Sequence, residues 1–150
     1  RAQTTSGTGE ARVASIELRN EQGETVEYVN VGEPVRLEVK IRLHADLPEL
    51  VFGYMIKDRL GQPVFGTNTH HLKVEMAQLK KDELLTLVFS FPANIGLGSY
   101  SISTALHVTD THLATNYEWR DQALMFNVVN LNRHQFVGVN WIPPLVEYQR

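Results

Sequence analysis

The sequence predicts an all-β protein, an antiparallel, immunoglobulin-like β-sandwich of eight or nine strands. Three observations lead there. Apolar residues recur with period two through most of the chain. Turn residues punctuate it roughly every 8–12 positions, the spacing of a sandwich. Only one short stretch, 72–83, has a pattern compatible with a helix. The chain has 150 residues, of which 43% are hydrophobic and 21% charged, so one domain with a real core is expected.

The first residues, with Thr4, Thr5, Ser6, Gly7, Thr8 and Gly9, have no apolar periodicity, and 1–12 reads as a linker ahead of a domain spanning 13–150. Such a start fits either an upstream domain or an expression remnant, and it has no apolar leader segment. Val13, Ile16 and Leu18 open a strand, the Asn20–Gly23 turn follows, and Val26, Tyr28 and Val29 resume as the second arm of a hairpin. From Val35 to Leu43, apolar residues alternate strictly with Arg36, Glu38, Lys40 and Arg42, which defines a half-buried strand beginning at Pro34.

Leu50–Asp58 and Val64–Thr69 form the next pair, joined by the turn Asp58-Arg59-Leu60-Gly61. Period two returns at Leu84–Phe91 and again from Tyr100 to Val108, where Ser101, Ser103, Ala105 and His107 make up the second face. Leu124, Phe126 and Val128 predict another strand, and Phe136–Ile142 a last one, stopped by Pro143-Pro144.

Composition excludes several functions. There is no cysteine, hence no disulfide, thiolate metal site or cysteine nucleophile. A net charge of -3 argues against a nucleic-acid module. No apolar run approaches the roughly 18 residues of a membrane span, and no glycine pattern forms a phosphate or dinucleotide loop. No cofactor is expected. The six histidines offer no metal site: His70 and His71 read as opposite faces of a strand, and His107, Asp110 and His112 lack a fourth ligand. Asp58, Asp110, Glu118 and Asp121 are candidate catalytic carboxylates only by lying near turns, and catalysis is not expected.

Two features point to ligand binding instead. The face Ser101, Ser103, Ala105, His107 is small and polar where a solvated strand face ordinarily carries long charged side chains; it suits either a sugar lying flat or a contact with another sheet or subunit. In Asn116–Asp121, Tyr117 and Trp119 sit among amide and charged residues, outside an alternating strand, as an aromatic platform for a pyranose ring. The alternative is a Trp119 tucked into the sandwich edge. Trp141 reads as packing or interface. Lys57 and Arg120 are the residues expected to meet an anionic group on the ligand.

The order Gly32-Glu33-Pro34-Val35, then Phe52-Gly53-Tyr54-Met55-Ile56-Lys57-Asp58-Arg59-Leu60-Gly61, then Phe65-Gly66-Thr67-Asn68-Thr69, resembles the Wzt-type C-terminal domain that follows the ATPase of O-polysaccharide ABC transporters. Gly98-Ser99-Tyr100, Leu106-His107 and Gly138-Val139-Asn140-Trp141 extend the resemblance over 13–142. The resemblance implies a non-catalytic carbohydrate-binding domain. It would recognise a cytoplasmic O-antigen polysaccharide at its capped non-reducing end and couple it to export by the transporter's ATPase and membrane subunits, peripheral to the inner membrane. It places the glycan on the sheet holding 53–57 and 100–108, which adds Met55 and Lys57 to Ser101, Ser103, His107, Tyr117, Trp119 and Arg120. It also implies a homodimer that exchanges its C-terminal strands, which the polar, turn-poor segment Asn130–Gln135 accommodates. The alternative function is a protein-interaction sandwich binding a partner through an edge strand.

Overall fold

In the computed structural model, which describes residues 4–108 and 116–150, ten strands and no helix are found among the described residues. They are β1 (Thr4–Ser6), β2 (Ala11–Arg19), β3 (Tyr28–Asn30), β4 (Pro34–Leu43), β5 (Leu47–Asp58), β6 (Pro63–Asn68), β7 (Met76–Leu79), β8 (Leu84–Pro92), β9 (Gly98–His107) and β10 (Asn116–Val129). A seven-stranded sheet runs β1-β10-β9-β5-β6, with β3 also on β10 and β7 also on β5, and it faces a three-stranded sheet, β2-β4-β8.

Period two sets which face is buried. In β4, Val35, Leu37, Val39, Ile41 and Leu43 all point into the core while Arg36 and Arg42 are exposed. β9 contributes Tyr100, Ile102 and Leu106 from the opposite sheet, β5 contributes Phe52, Tyr54 and Ile56, and β10 contributes Phe126 and Val128. Aromatic rings bridge the layers: Phe89 of β8 lies 5.7 Å from Phe52 and 5.1 Å from Tyr54, edge-on to the latter.

Several expectations are corrected. The start is not all linker: Thr4–Ser6 pairs with Trp119–Asp121, and Ala11 and Arg12 already belong to β2. The hairpin after β2 ends almost at once, at an isolated bridge between Arg19 and Thr25. The chain then crosses to the other sheet, where β3 runs parallel to β10, because Val29 and Val31 are drawn wholly into the core. Residues 72–83 form no helix; Lys73, Gln78 and Asp82 have φ of 60°, 53° and 73°, which helical backbone excludes, and β7 pairs with β5 instead. Asn116–Asp121 does belong to a strand, the first half of β10. His70 and His71 occupy a turn after β6 rather than opposite faces of a strand.

The segment 136–142 is not a strand either. It crosses the sandwich end as a strap, through one bridge between Ile95 and Asn140, with Phe136 and Trp141 half-buried against the core. Gly96 donates to the Val139 carbonyl at 3.1 Å, and Trp141 donates to that of Asn94 at 3.0 Å. A Cβ on Gly96 would sit 2.0 Å from the Gly138 oxygen, so only glycine lets the strap lie down. Gly96→Ala is therefore expected to lift the strap while the sandwich stays folded. In a Trp119→Phe background, Trp141 emission should shift to the red with far-ultraviolet dichroism unchanged; an unshifted Trp141 would show that the strap is held elsewhere.

Candidate functional site

The outward face of the seven-stranded sheet follows from register. β9 pairs with β5 so that Gly53 meets Ala105, Met55 meets Ser103 and Lys57 meets Ser101. On its other side Ala105 meets Trp119 and Ser101 meets Met125. Since Ile102 and Leu106 face the core, Ser101, Ser103, Ala105 and His107 face outward. β6 adds Gly66 opposite Met55 and Asn68 opposite Gly53.

Small residues make a floor and larger ones its walls. Ser103 is only 1% exposed, because Met55 and Lys57 rise from β5 on one side and Trp119 and Asp121 from β10 on the other. Trp119 is 37% exposed, an indole anchored at its base and open above. Two shallow depressions of about 380 Å³ each lie along this floor. One holds Trp119, Met55, Asn68, His71 and His107; the other holds Lys57, Asp121, Gln122, Ser99, Ser101 and Met125. A Cβ on Gly53 would press to 3.2 Å on the Asn68 Cβ, so glycine there keeps the floor low.

In the latter of the two depressions Lys57 and Asp121 meet across β9. Lys57 Nζ is 3.6 Å from Asp121 Oδ1 and 5.7 Å from the centre of the Trp119 ring system. The Ser103 hydroxyl donates to the same Oδ1 at 2.6 Å, and the Gln122 amide does so at 3.1 Å. The Ser103 hydroxyl is the main cause that holds the Asp121 carboxyl below the usual aspartate range; partial desolvation opposes it and the Lys57 ammonium assists it.

Six of the eight residues predicted for binding therefore share one surface: Met55, Lys57, Ser101, Ser103, His107 and Trp119. Tyr117 and Arg120 do not. Tyr117 is 7% exposed and packs in the core beside a bulge, and burial raises its phenol pKa. Arg120 points between the sheets, donating to the Val13 carbonyl at 3.2 Å and pairing with Glu118 at 3.4 Å. The candidate carboxylates do not converge: Glu118 faces inward and is 1% exposed, Asp121 faces outward, and Asp58 accepts from the Leu60 and Gln62 amides within its own turn. Asp110 and His112 lie outside the described residues, and among the described residues no group of three metal-ligating side chains converges.

Sequence reasoning missed Asn68 and His71, and it saw Asp121 only as a turn carboxylate. The Asn68 signal was present: the alternation of β6 carried on from Gly66. A third, larger hollow of about 740 Å³ opens on the side of the sandwich between β8 and β6, lined by Leu87, Phe89, Phe91, Ile56, Val64 and Phe65.

Ser103→Ala is expected to let the Asp121 pKa rise toward the ordinary value of about 3.9. Because the native carboxyl is held low, its stabilising contacts are present above the unfolded-state pKa and are lost as pH falls through the lowered native one. Carboxyl-carbon NMR titration reads the change directly. An Asp121 titration identical in the variant and the parent would remove Ser103 as the cause.

The family model described as the Wzt C-terminal domain matches residues 2–142. Among solved structures, the crystal structure of the C-terminal domain of wzt superposes with a TM-score of 0.85 at 17% identity, covering 97% of this chain and 89% of that one. A Niemann-Pick type C2 protein from Japanese carpenter ant superposes with a TM-score of 0.57 at 12% identity, covering 86% of this chain and 100% of that one. At such identities the two superpositions speak for the sandwich fold alone. No curated protein sequence matches the chain. Since the family model takes in nearly every residue, the chain belongs to the Wzt C-terminal domain family.

Proposed function

We propose that this domain is a non-catalytic module that holds an O-antigen polysaccharide, at its capped non-reducing end, against the outward face of the seven-stranded sheet. In doing so it couples the glycan to export at the cytoplasmic side of an ABC transporter. Membership in the family gives the coarse part, a carbohydrate-binding domain of an O-antigen transporter in general. The observation that carries the finer reading is the small, polar floor beside a half-open indole. A pyranose presents an apolar C–H face, which a ring such as Trp119 stacks against, and a rim of hydroxyls, which amide, imidazole and hydroxyl groups such as Asn68, His107 and Ser101 meet.

Binding of the isolated domain to a panel of purified bacterial polysaccharides tests it. Trp119→Ala should weaken binding by about tenfold or more, as loss of an aromatic anchor does. It should move the unfolding midpoint far less than truncation of a buried Trp, which costs about 3–5 kcal/mol. Ser103→Leu should weaken binding by raising the floor, and His107→Ala by removing a polar contact. Full affinity in Trp119→Ala would take the ring out of the site.

The same reading includes a homodimer with exchanged C-terminal segments. Its support is an apolar tail without a berth and an edge without a partner. Leu145, Val146 and Tyr148 are almost fully exposed, while β8, paired only with β4 among the described residues, borders the apolar hollow on the open side. A second copy's tail laid along β8 would cover both. Cutting after Trp141 or Ile142 spares the strap residues Phe136 and Trp141. Light scattering should then give a dimer for the intact domain and a monomer for the shortened one. An intact domain that stays monomeric at micromolar concentration overturns the exchange and leaves the glycan reading standing.

A further inference from the structure

The charges on the outward face determine what kind of sugar it suits. Within the two depressions the ionised side chains are Lys57 and Arg59 against Asp58 and Asp121, two of each sign. Asp58 is occupied by its own turn. The half with Trp119 holds none of these four; the titratable side chains it presents outward are His71 and His107, since the Tyr54 ring packs in the core. Arg120, the other cation expected to meet a ligand, is engaged between the sheets. Lys57 is thus the cation that lies over the indole, and Asp121 already pairs with it.

That pairing is built in. Asp121 Oδ1 takes the Ser103 hydroxyl, the Gln122 amide and the Lys57 ammonium, which fixes the carboxylate beside the ammonium rather than leaving it to drift in solvent. An anionic group arriving at Lys57 would meet an ammonium and a carboxylate 3.6 Å apart, and the repulsion from one would cancel most of the attraction of the other. A sugar hydroxyl fares differently, because it both donates and accepts. Two adjacent ring hydroxyls can accept from the ammonium, which has three N–H donors, and donate to the free lone pairs of the carboxylate. The Trp119 ring beneath Lys57 would lie alongside the C–H face of that same sugar.

We propose that the Lys57–Asp121 pair makes this face selective for uncharged sugars carrying adjacent hydroxyls, and that Asp121 is the residue that turns acidic glycans away. The inference rests on the carbohydrate-binding reading and names the substrate class of the same site.

The test compares the parent domain, Asp121→Asn and Lys57→Met on two sets of purified polysaccharides. One set is neutral, a mannan, a galactan and a rhamnan; the other is acidic, a polyuronate and a phosphomannan; each is measured at low and high salt. The parent should prefer a neutral polymer, with an affinity that hardly changes with salt. Asp121→Asn should gain acidic binding by about tenfold at low salt, lost again at high salt, as an unmasked ammonium would require. Lys57→Met should lose neutral binding and gain no acidic binding. A parent domain that binds an acidic polymer more tightly than any neutral one overturns the inference with the carbohydrate reading intact, and so does a folded Asp121→Asn with unchanged acidic binding. The parent's own ranking and salt response decide the matter even if a variant fails to fold. A parent that binds no polysaccharide in either set removes the carbohydrate reading and this inference together.

Discussion

Every residue of the candidate site depends on how β9 is clamped between β5 and β10. Eight consecutive positions of β9, from Tyr100 to His107, pair with β5, and the same strand is bonded to β10 along its other edge. Ile102 and Leu106 are completely buried, each worth about 1.5–3 kcal/mol of apolar burial. A slip of one residue would put both into water and drive Ser101, Ser103 and Ala105 into the core. The core therefore fixes the register. The small-residue floor, the cross-strand meeting of Lys57 with Asp121 and the placing of Trp119 beside Ala105 follow on the other face.

The unequal sheets explain the rest of the surface. Seven strands face three, so the inner side of β5 and β6 extends beyond what β2, β4 and β8 can cover. Leu85, Leu87, Phe89 and Phe91 of β8 have the alternation of a core strand yet remain only half-buried, where the equivalent positions of β4 are closed off. The large hollow lies at that uncovered margin. It is apolar where the outward face is polar, so the two sides of the seven-stranded sheet differ in the chemistry they present.

What could be read from the sequence was the part ruled by one-sided burial. β4, β8 and β9 show their faces because every second residue meets the core without interruption. Legibility failed where backbone irregularity broke that count. In β10 the register shifts between Asn116 and Glu118 and again between Arg120 and Leu124, with Gln122 at φ 51°. These bulges put Tyr117 and Glu118 both inward and hide the outward role of Asp121. The composition of 72–83 looks helical, but three left-handed residues break the segment into turns around the four-residue strand β7. β3 is three residues long, too short for any pattern, and its parallel pairing with β10 is a contact nearly a hundred residues away that no local signal announces.

The polar interior at β10 bears on the site as well. β2 is bulged between Val13 and Ser15, and the Val13 amide donates at 3.0 Å to the buried Glu118 carboxylate while the Val13 carbonyl accepts from Arg120. Each buried charge is compensated by the other and by backbone, which is the condition under which burying them is tolerable. Trp119 sits between them in sequence. With Glu118 and Arg120 both tied to β2 on the inner side, strand geometry leaves Trp119 only the outer side, where the Lys57 ammonium lies over its ring. The two residues that looked like ligands or catalysts from the sequence thus act at one remove: Glu118 and Arg120 aim the ring.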